Sequence, residues 1–334
     1  MKKHTTIRDV ARQAGVAVMT ASKALGNKPG VSDEMRKHVQ KVARQMNYVP
    51  NTLATSFRTN QTQSIGIVMD SSFSDIFPPL FAGIEKAAVD CGLSTLLANH
   101  KDSGAKKFED TVSLLARNLV DGLVITSATS LDMPRIDFLE SLNLPYVLAM
   151  CSHPGLNTAS VRNNDHGGAY AMMRYLLRKN CRKFLLLPPD ERFSGGLERL
   201  RGWLDALQAH GVPASEQNVV PVPSRIEAGF EAMKRLLTRG LRWDAAVCGS
   251  DHIAIGVLEA LGERGVAVPE EIRVSGYDGI PLSEHIKTPL TTIQQPLAEI
   301  GQAGVHLLHK LIQDRSAARQ HIVINGDLTA RESA

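Results

Sequence analysis

The chain reads as a small all-α head carrying a helix-turn-helix, followed by an α/β core of two doubly wound parallel-sheet subdomains. Three observations predict this. Residues 6–46 hold three short helical patterns, the first two joined through a glycine turn. From Ser64 onward, apolar strand candidates alternate with amphipathic helices almost to the end. The charge also divides between the two parts. Residues 1–60 hold eleven Lys/Arg against three acidic residues, a net of +8, and the rest holds 27 against 31, a net of −4. A basic head on a mildly acidic body suits phosphate binding.

The head is justified residue by residue. Thr6 can cap a helix, with Asp9 completing a capping-box-like pair. Val10, Ala11 and Ala14 give one apolar face, and Gly15 can end the helix in the left-handed region. A second helix fits residues 17–25, with Ala21, Ala24 and Leu25 turned inward. In a helix-turn-helix this second helix enters the DNA major groove. Any small helical domain can contain such a pair, so the pattern alone does not decide function. A third helix starts after Ser32, with Asp33 and Glu34 at the positive end of its dipole. Met35, Val39, Val42 and Met46 recur at i, i+4, i+7 and i+11 as a core-facing stripe.

Four spaced motifs agree in order, DVARQAGV from Asp9, the T-x-S-K step from Thr20 to Lys23, VS at 31–32 and NYVPN at 47–51, and the later chain agrees with them. Together they resemble the LacI/GalR family of bacterial transcription regulators, and the resemblance covers nearly the whole chain. The segment 49–59 is too short for a stable isolated helix, although Asn51 can cap it and Leu53, Ala54 and Phe57 share a face. The resemblance implies a hinge helix that folds on DNA in the minor groove.

In the core, strands are expected at 65–69, 94–98, 123–126 and 146–149, with helices at about 79–91, 105–118 and 133–142 between them. The series resumes with helix 165–179, strand 183–187, helix 196–210, strand 219–222, helix 226–239, strand 245–248, helix 252–264 and strand 272–276. A strand at 290–294, a helix from Pro296 to about 313 and a strand at 322–324 complete it. These are too many strands for one compact sheet, so two subdomains are expected, with a ligand cleft at the carboxyl ends of their strands. The resemblance implies a periplasmic-binding-protein-like core crossed three times by the chain, near 163–165, 291–294 and 323–326. The expected organisation is a DNA-binding head at 1–48, a hinge helix and linker at 49–62, and an effector-binding and dimerisation core at 63–334. Its first lobe takes about 63–163 and 294–323, and its second about 165–291 and 326–334.

The resemblance assigns Val18, Met19 and Lys23 to base edges, where lysine can read guanine and apolar side chains can pack on a thymine methyl. It places Thr6, Thr20, Ser22 and Asn27 toward phosphates. Asn51 and Phe57 belong to the hinge, and Phe57 stands where the family usually has a leucine that wedges into a base step. Packing of two hinge helices against each other is its alternative role. Ala17 replaces a usual hydroxyl residue, Ala21 a usual valine, and Lys23 a common arginine or histidine. A different operator is expected from these departures.

For the cleft, the resemblance points to Phe77 as an aromatic wall, Asn163 where a carboxylate is common, Arg199, Ser250, and Asp278 as a partner for ligand hydroxyls. An Arg with an Asp suits a polyhydroxy ligand, with an anionic group also possible because Arg grips carboxylate or phosphate in a fork. A helix-surface ion pair is the plain alternative for Arg199, and plain core for Phe77.

Other chemistry is not supported. Ser250, Asp251 and His252 bring three triad residue types together, but adjacent residues do not face one another and no GxSxG surrounds them. His306 and His309 lack a third metal ligand, and neither GxGxxG nor a Walker A motif occurs, so no catalytic residue, metal or cofactor is expected. The four cysteines are scattered, no N-terminal apolar run suggests a signal peptide, and no stretch is long enough to span a bilayer. A reduced cytoplasmic protein is expected. The expected function is a repressor, a homodimer on a near-palindromic operator, controlled by a small effector such as a sugar, sugar acid or sugar phosphate. With no heptad tail after Ala334, a dimer is expected rather than a tetramer. The alternative is a sugar-binding protein without a transcriptional role.

Overall fold

The computed structural model describes residues 5–48, 61–70, 75–100, 105–117, 119–126, 132–151, 157–189, 195–214, 218–238, 240 and 243–334. Its contacts cluster into two units, Met1–Thr62 and Gln63–Ala334.

In the first unit, α1 (Ile7–Gln13), α2 (Val18–Leu25) and α3 (Asp33–Gln45) surround a core of small side chains. Both halves of the capping box form at Thr6: the Asp9 N–H donates to Thr6 Oγ1 at 3.4 Å, and the Thr6 N–H donates to Asp9 Oδ2 at 3.0 Å. Gly15 turns the chain with φ +66°, a value that a side chain would strain. Ser32 Oγ accepts from the Met35 N–H at 3.3 Å and starts α3, whereas α2 starts at Ala17 with no side-chain cap. Val10, Ala11, Ala21, Ala24, Val39, Val42 and Ala43 are buried together. With alanine at 21 and 24, α2 lies close to α1 and α3; Leu25 packs against the same core, while Val18 and Met19 turn outward. The hinge segment, with Asn51 and Phe57, lies outside the described residues.

The second unit runs β1 (Ser64–Asp70), α4 (Phe77–Asp90), β2 (Ser94–His100), α5 (Ala105–Ala116), β3 (Gly122–Thr126), α6 (Met133–Ser141), β4 (Tyr146–Ala149), β5 (Ser160–Asn163) and α7 (Asp165–Arg178). It continues with β6 (Phe184–Leu187), α8 (Gly196–Ala209), β7 (Asn218–Val219), α9 (Ile226–Leu237), β8 (Ala245–Cys248), α10 (Asp251–Glu263), β9 (Arg273–Ser275) and α11 (Leu282–His285). It closes with β10 (Thr292–Gln294), α12 (Leu297–Gln313), β11 (His321–Ile324) and β12 (Asp327–Thr329).

Two parallel sheets result. The first has the order β11-β5-β4-β3-β1-β2 and the second β7-β6-β8-β9. In the first lobe, α4 and α12 bury Leu80, Ile84, Ile300, Val305 and Leu308 against Ile65, Ile67, Val124 and Val147. On the opposite face, α5 and α6 bring Phe108, Val112, Ile136 and Leu139 onto Leu123, Ile125 and Leu148. The second lobe repeats this plan, with α7 and α8 on one face and α9 and α10 on the other. Strands buried on both faces explain why the sequence shows continuous apolar runs there instead of alternation. The chain passes between lobes from β5 into α7, from β10 into α12, and from β11 into β12, which pairs antiparallel with β10.

Most element ends shift by one or two residues from the sequence expectation, and three of the differences have a local cause in proline. Helix α4 starts at Phe77, two residues early, because Pro78 and Pro79 fit a first turn that lacks hydrogen-bonded N–H groups. Strand β7 is cut to two residues because Pro221 has no N–H for the ladder, and Val222 rejoins as an isolated bridge to Pro189. Pro296 caps α12 rather than entering it.

Candidate functional site

The carboxyl ends of the second-lobe strands converge on one buried guanidinium. Arg199, in the first turn of α8, donates from Nε to Asp165 Oδ1 at 2.8 Å and from Nη1 to the Gly249 carbonyl. The same Nη1 lies 3.1 Å from Asp278 Oδ1. Its guanidinium carbon stands 3.8 Å from the Tyr277 ring centroid. Gln295 Nε2 donates to Asp278 Oδ1 at 2.7 Å, so Asp278 is held from two sides. Asn163 Nδ2 donates to Tyr277 Oη at 2.8 Å and to Asp165 Oδ1 at 3.2 Å, while its buried Oδ1 has no hydrogen-bond partner.

Local sequence makes this convergence possible. Asp278 sits at φ +116° and Gly279 at φ +70°, so the chain doubles back after β9 and aims the carboxylate at α8. A Cβ on Gly276 would come within 2.2 Å of Asp251 Oδ1, so only glycine lets this loop lie on that carboxyl. Asp251 accepts from Thr292 Oγ1 at 2.6 Å and from the Ile280 N–H at 2.8 Å.

Burial and charge set the protonation states. Burial pushes the Asp251 carboxyl up to about 8, and the nearby Asp278 carboxylate adds to this. Burial also raises the Asp278 carboxyl, and Arg199 only partly opposes it. For Arg199, burial works against the charge, but Asp278 and then Asp165 outweigh it, so the guanidinium holds its proton more firmly than usual. The Arg199 guanidinium is thereby matched with the carboxyl groups of Asp165 and Asp278. Removing Arg199 strands Asp165 and Asp278, so these residues support the lobe.

Of the residues expected in the cleft, Asn163, Arg199 and Asp278 come together, joined through Asp165 and Tyr277. Ser250 is the buried N-cap of α10: its Oγ accepts from the Ile253 N–H at 3.3 Å and from Ser224 Oγ at 2.7 Å, leaving its own hydroxyl proton to donate. Asn164 caps α7 by accepting from the Gly167 N–H at 2.9 Å. Phe77 opens α4 in the first lobe with its ring stacked on Phe81, centroids 5.3 Å apart. The triad residue types diverge: Ser250 caps, Asp251 turns to Thr292, and His252 Nε2 reaches Asp75 Oδ2 of the first lobe at 2.7 Å. Among the described residues, no group of three His, Cys, Asp or Glu is placed to hold a metal.

Sequence reasoning missed Asp165, Tyr277, Gln295 and the Asp75–His252 contact. Asp165 stands in the first turn of α7, a common place for an acid, and nothing local marks Gln295. A signal did exist for Tyr277, which lies beside Asp278.

On the head, α2 exposes Val18 at 44% and Met19 at 66%, an uncommon apolar pair to leave in water. Thr20, Ser22 and Lys23 are half-buried on the same helix. Two candidates are already engaged: Thr6 Oγ1 donates to Asp9 Oδ2 at 2.7 Å, and Asn27 Oδ1 accepts from Arg36 at 3.4 Å and Gln40 at 3.2 Å.

Comparison with known proteins bears on both units. Residues 6–51 match the model of bacterial regulatory proteins, lacI family, and residues 173–334 match a periplasmic binding protein-like domain. An HTH-type transcriptional repressor PurR of Mannheimia succiniciproducens is 30% identical over 329 residues, 98% of each chain. A ribose operon repressor of Haemophilus influenzae is 28% identical over 328 residues, again 98% of each. The crystal structure of the lac repressor dimer bound to operator and the anti-inducer ONPF aligns over 99% of each chain with a TM-score of 0.90 and 25% identity.

Proposed function

Because the chain belongs to the lacI family of bacterial regulatory proteins, and so is a DNA-binding transcriptional regulator and not an enzyme, we propose that it is a repressor controlled by a neutral polyhydroxy effector in the cleft between its lobes. The observation that carries the ligand class is the engagement of Arg199 by Asp165 and Asp278. A free guanidinium would favour a sugar acid or phosphate. Here its charge is already balanced by two carboxylates, and a third anion would meet net repulsion at close range. Remaining capacity suits hydroxyls: Arg199 Nη2 and Ser250 Oγ–H as donors, Asp278 Oδ2 as acceptor, with Phe77 as an apolar wall from the first lobe. Asn163 adds an acceptor at the crossover.

In this reading residues 1–48 bind DNA and 49–62 form the hinge, with Asn51 and Phe57 acting there. Residues 63–334 bind effector and dimerise. Val18, Met19 and Lys23 read bases, while Thr20, Ser22 and Asn27 contact backbone phosphates, with Thr6 limited to its exposed edge. A second copy fits the groove lined by Ile255, Leu258, Val266, Val268 and Ile286 on the second lobe. The lac repressor relative is described as a dimer on operator, and a dimer requires a near-palindromic site. No helix among the described residues is long and apolar enough to cross a membrane, and a regulator of bacterial DNA works in the cytoplasm.

The experiment is a thermal-shift screen with neutral sugars and polyols beside their phosphates and carboxylates, followed by operator titration with each hit. Neutral ligands raise the midpoint in proportion to affinity and change operator binding, and their anionic analogues do neither. Hits confined to the anions refute the ligand class, and absence of any specific DNA binding refutes the regulator.

A further inference from the structure

Asp75 and His252 lie 177 positions apart in the chain and belong to different lobes, yet their side chains meet at 2.7 Å. Asp75 sits between β1 and α4, and His252 is the second residue of α10. Both follow the carboxyl end of a strand, on the side of each sheet that faces the cleft. Neither lies on the three crossover segments, so the contact acts on the angle between lobes where the crossovers act as hinges. Side-chain exposures of 45% for Asp75 and 25% for His252 leave the pair open to exchange protons with solvent.

Among the described residues, several packed elements bring charge near His252. Asp75 faces it from the first lobe, and Asp251 precedes it on α10. From the loop after β9, Asp278 feels the histidine charge, and Arg199 on α8 is set against Asp278. At the start of α9, which packs on α10, Arg225 and Glu227 are exposed and carry opposite signs. A neutral imidazole can already donate Nε2–H to Asp75. Protonation adds full charge to the donor, and charge-assisted hydrogen bonds are roughly twice as strong as neutral ones.

We propose that Asp75 and His252 form a clasp across the cleft that protonation of His252 tightens, so that acidification holds the lobes in the arrangement of this structure. The clasp belongs to the core alone. Only its consequence for operator binding rests on the regulatory reading above.

The test uses the full chain with Asp75→Asn, His252→Gln, both together, and the exchanged pair Asp75→His with His252→Asp. Thermal midpoints are read at pH 5.5 and 8 without DNA or effector. Each single change lowers the midpoint by ~1–3 °C at pH 5.5 and by less at pH 8. The double loses no more than either single, and the exchanged pair recovers most of the loss. Spin labels at Leu114→Cys on α5 and Lys234→Cys on α9, in a Cys91→Ser background, then report the distance between lobes. The distribution is narrow at pH 5.5 and broader at pH 8 in the parent, and broad at both in the single variants. Additive midpoint losses, or distances that ignore pH and the substitutions, overturn the clasp. Operator titration of the same proteins reports separately: loss of all specific DNA binding with an intact clasp counts against the regulator alone.

Discussion

The Arg199 guanidinium stands 3.8 Å from the Tyr277 ring centroid while its edge donates to Asp165. Its face is therefore taken by the aromatic ring and two of its three nitrogens by oxygens. This geometry needs a planar fork, which lysine does not offer.

Arg199→Lys keeps the charge but loses the fork and the stacking. We expect the effector-induced change in operator affinity, typically about 5–150-fold in such couplings, to vanish while effector-free binding stays within a few-fold of the parent. Arg199→Met removes the charge as well and leaves Asp165 and Asp278 buried without it. Its stability loss is expected at ~3–5 kcal/mol near neutral pH. Operator titrations with and without effector, alongside denaturant unfolding, check both. A Lys variant that responds like the parent moves the effector site elsewhere.

Lys23 is half-buried on α2, beside exposed Val18 and Met19. If it reads a guanine edge, Lys23→Ala costs ~1–3 kcal/mol on the preferred operator and much less on random DNA. Equal losses on both would make it a phosphate contact. Competition titrations at fixed salt distinguish the outcomes, since phosphate contacts dominate the salt dependence.

The sequence was most legible where a function leaves a local mark. Caps at Thr6 and Ser32, the glycine at 15 and the apolar stripe of α3 are short-range features, and all appear in the head. Alternating strands and helices likewise announced two parallel sheets. The cleft was only half legible. Arg199 and Asp278 were readable through resemblance, but their being partners of each other was not, because 79 positions separate them. That partnership sets the guanidinium against a carboxylate of its own lobe, which weighs on the side of the polyhydroxy ligand already suggested by the Arg and Asp. Gln295 and Asp165 acquire their roles only when β10 and α7 are brought to the same buried point. Ser250 shows the reverse case, since a residue proposed for ligand binding also has a plain structural duty as a helix cap.

Asp251 gives a prediction in which the sign matters. Its carboxyl is raised from 3.8 to about 8 by burial and by Asp278. The folded protein thus holds this proton more tightly than the unfolded chain does. Its contribution to stability is full below about 4 and is lost as pH rises through about 8, because between those values the native state binds the extra proton. The slope from one such group is at most ~1.4 kcal/mol per pH unit. Asp251→Asn keeps an acceptor for the Ile280 N–H and a donor for Thr292 Oγ1, and it cannot ionise. Relative to the parent, this variant should gain stability steadily from pH 5 to pH 8, while the titrations of all other groups cancel in the difference. Denaturant midpoints at pH 5, 6.5 and 8 measure it. A stability difference that stays constant over this range would mean that Asp251 is ionised throughout, with its charge held by Thr292 and the backbone N–H groups instead of by a proton.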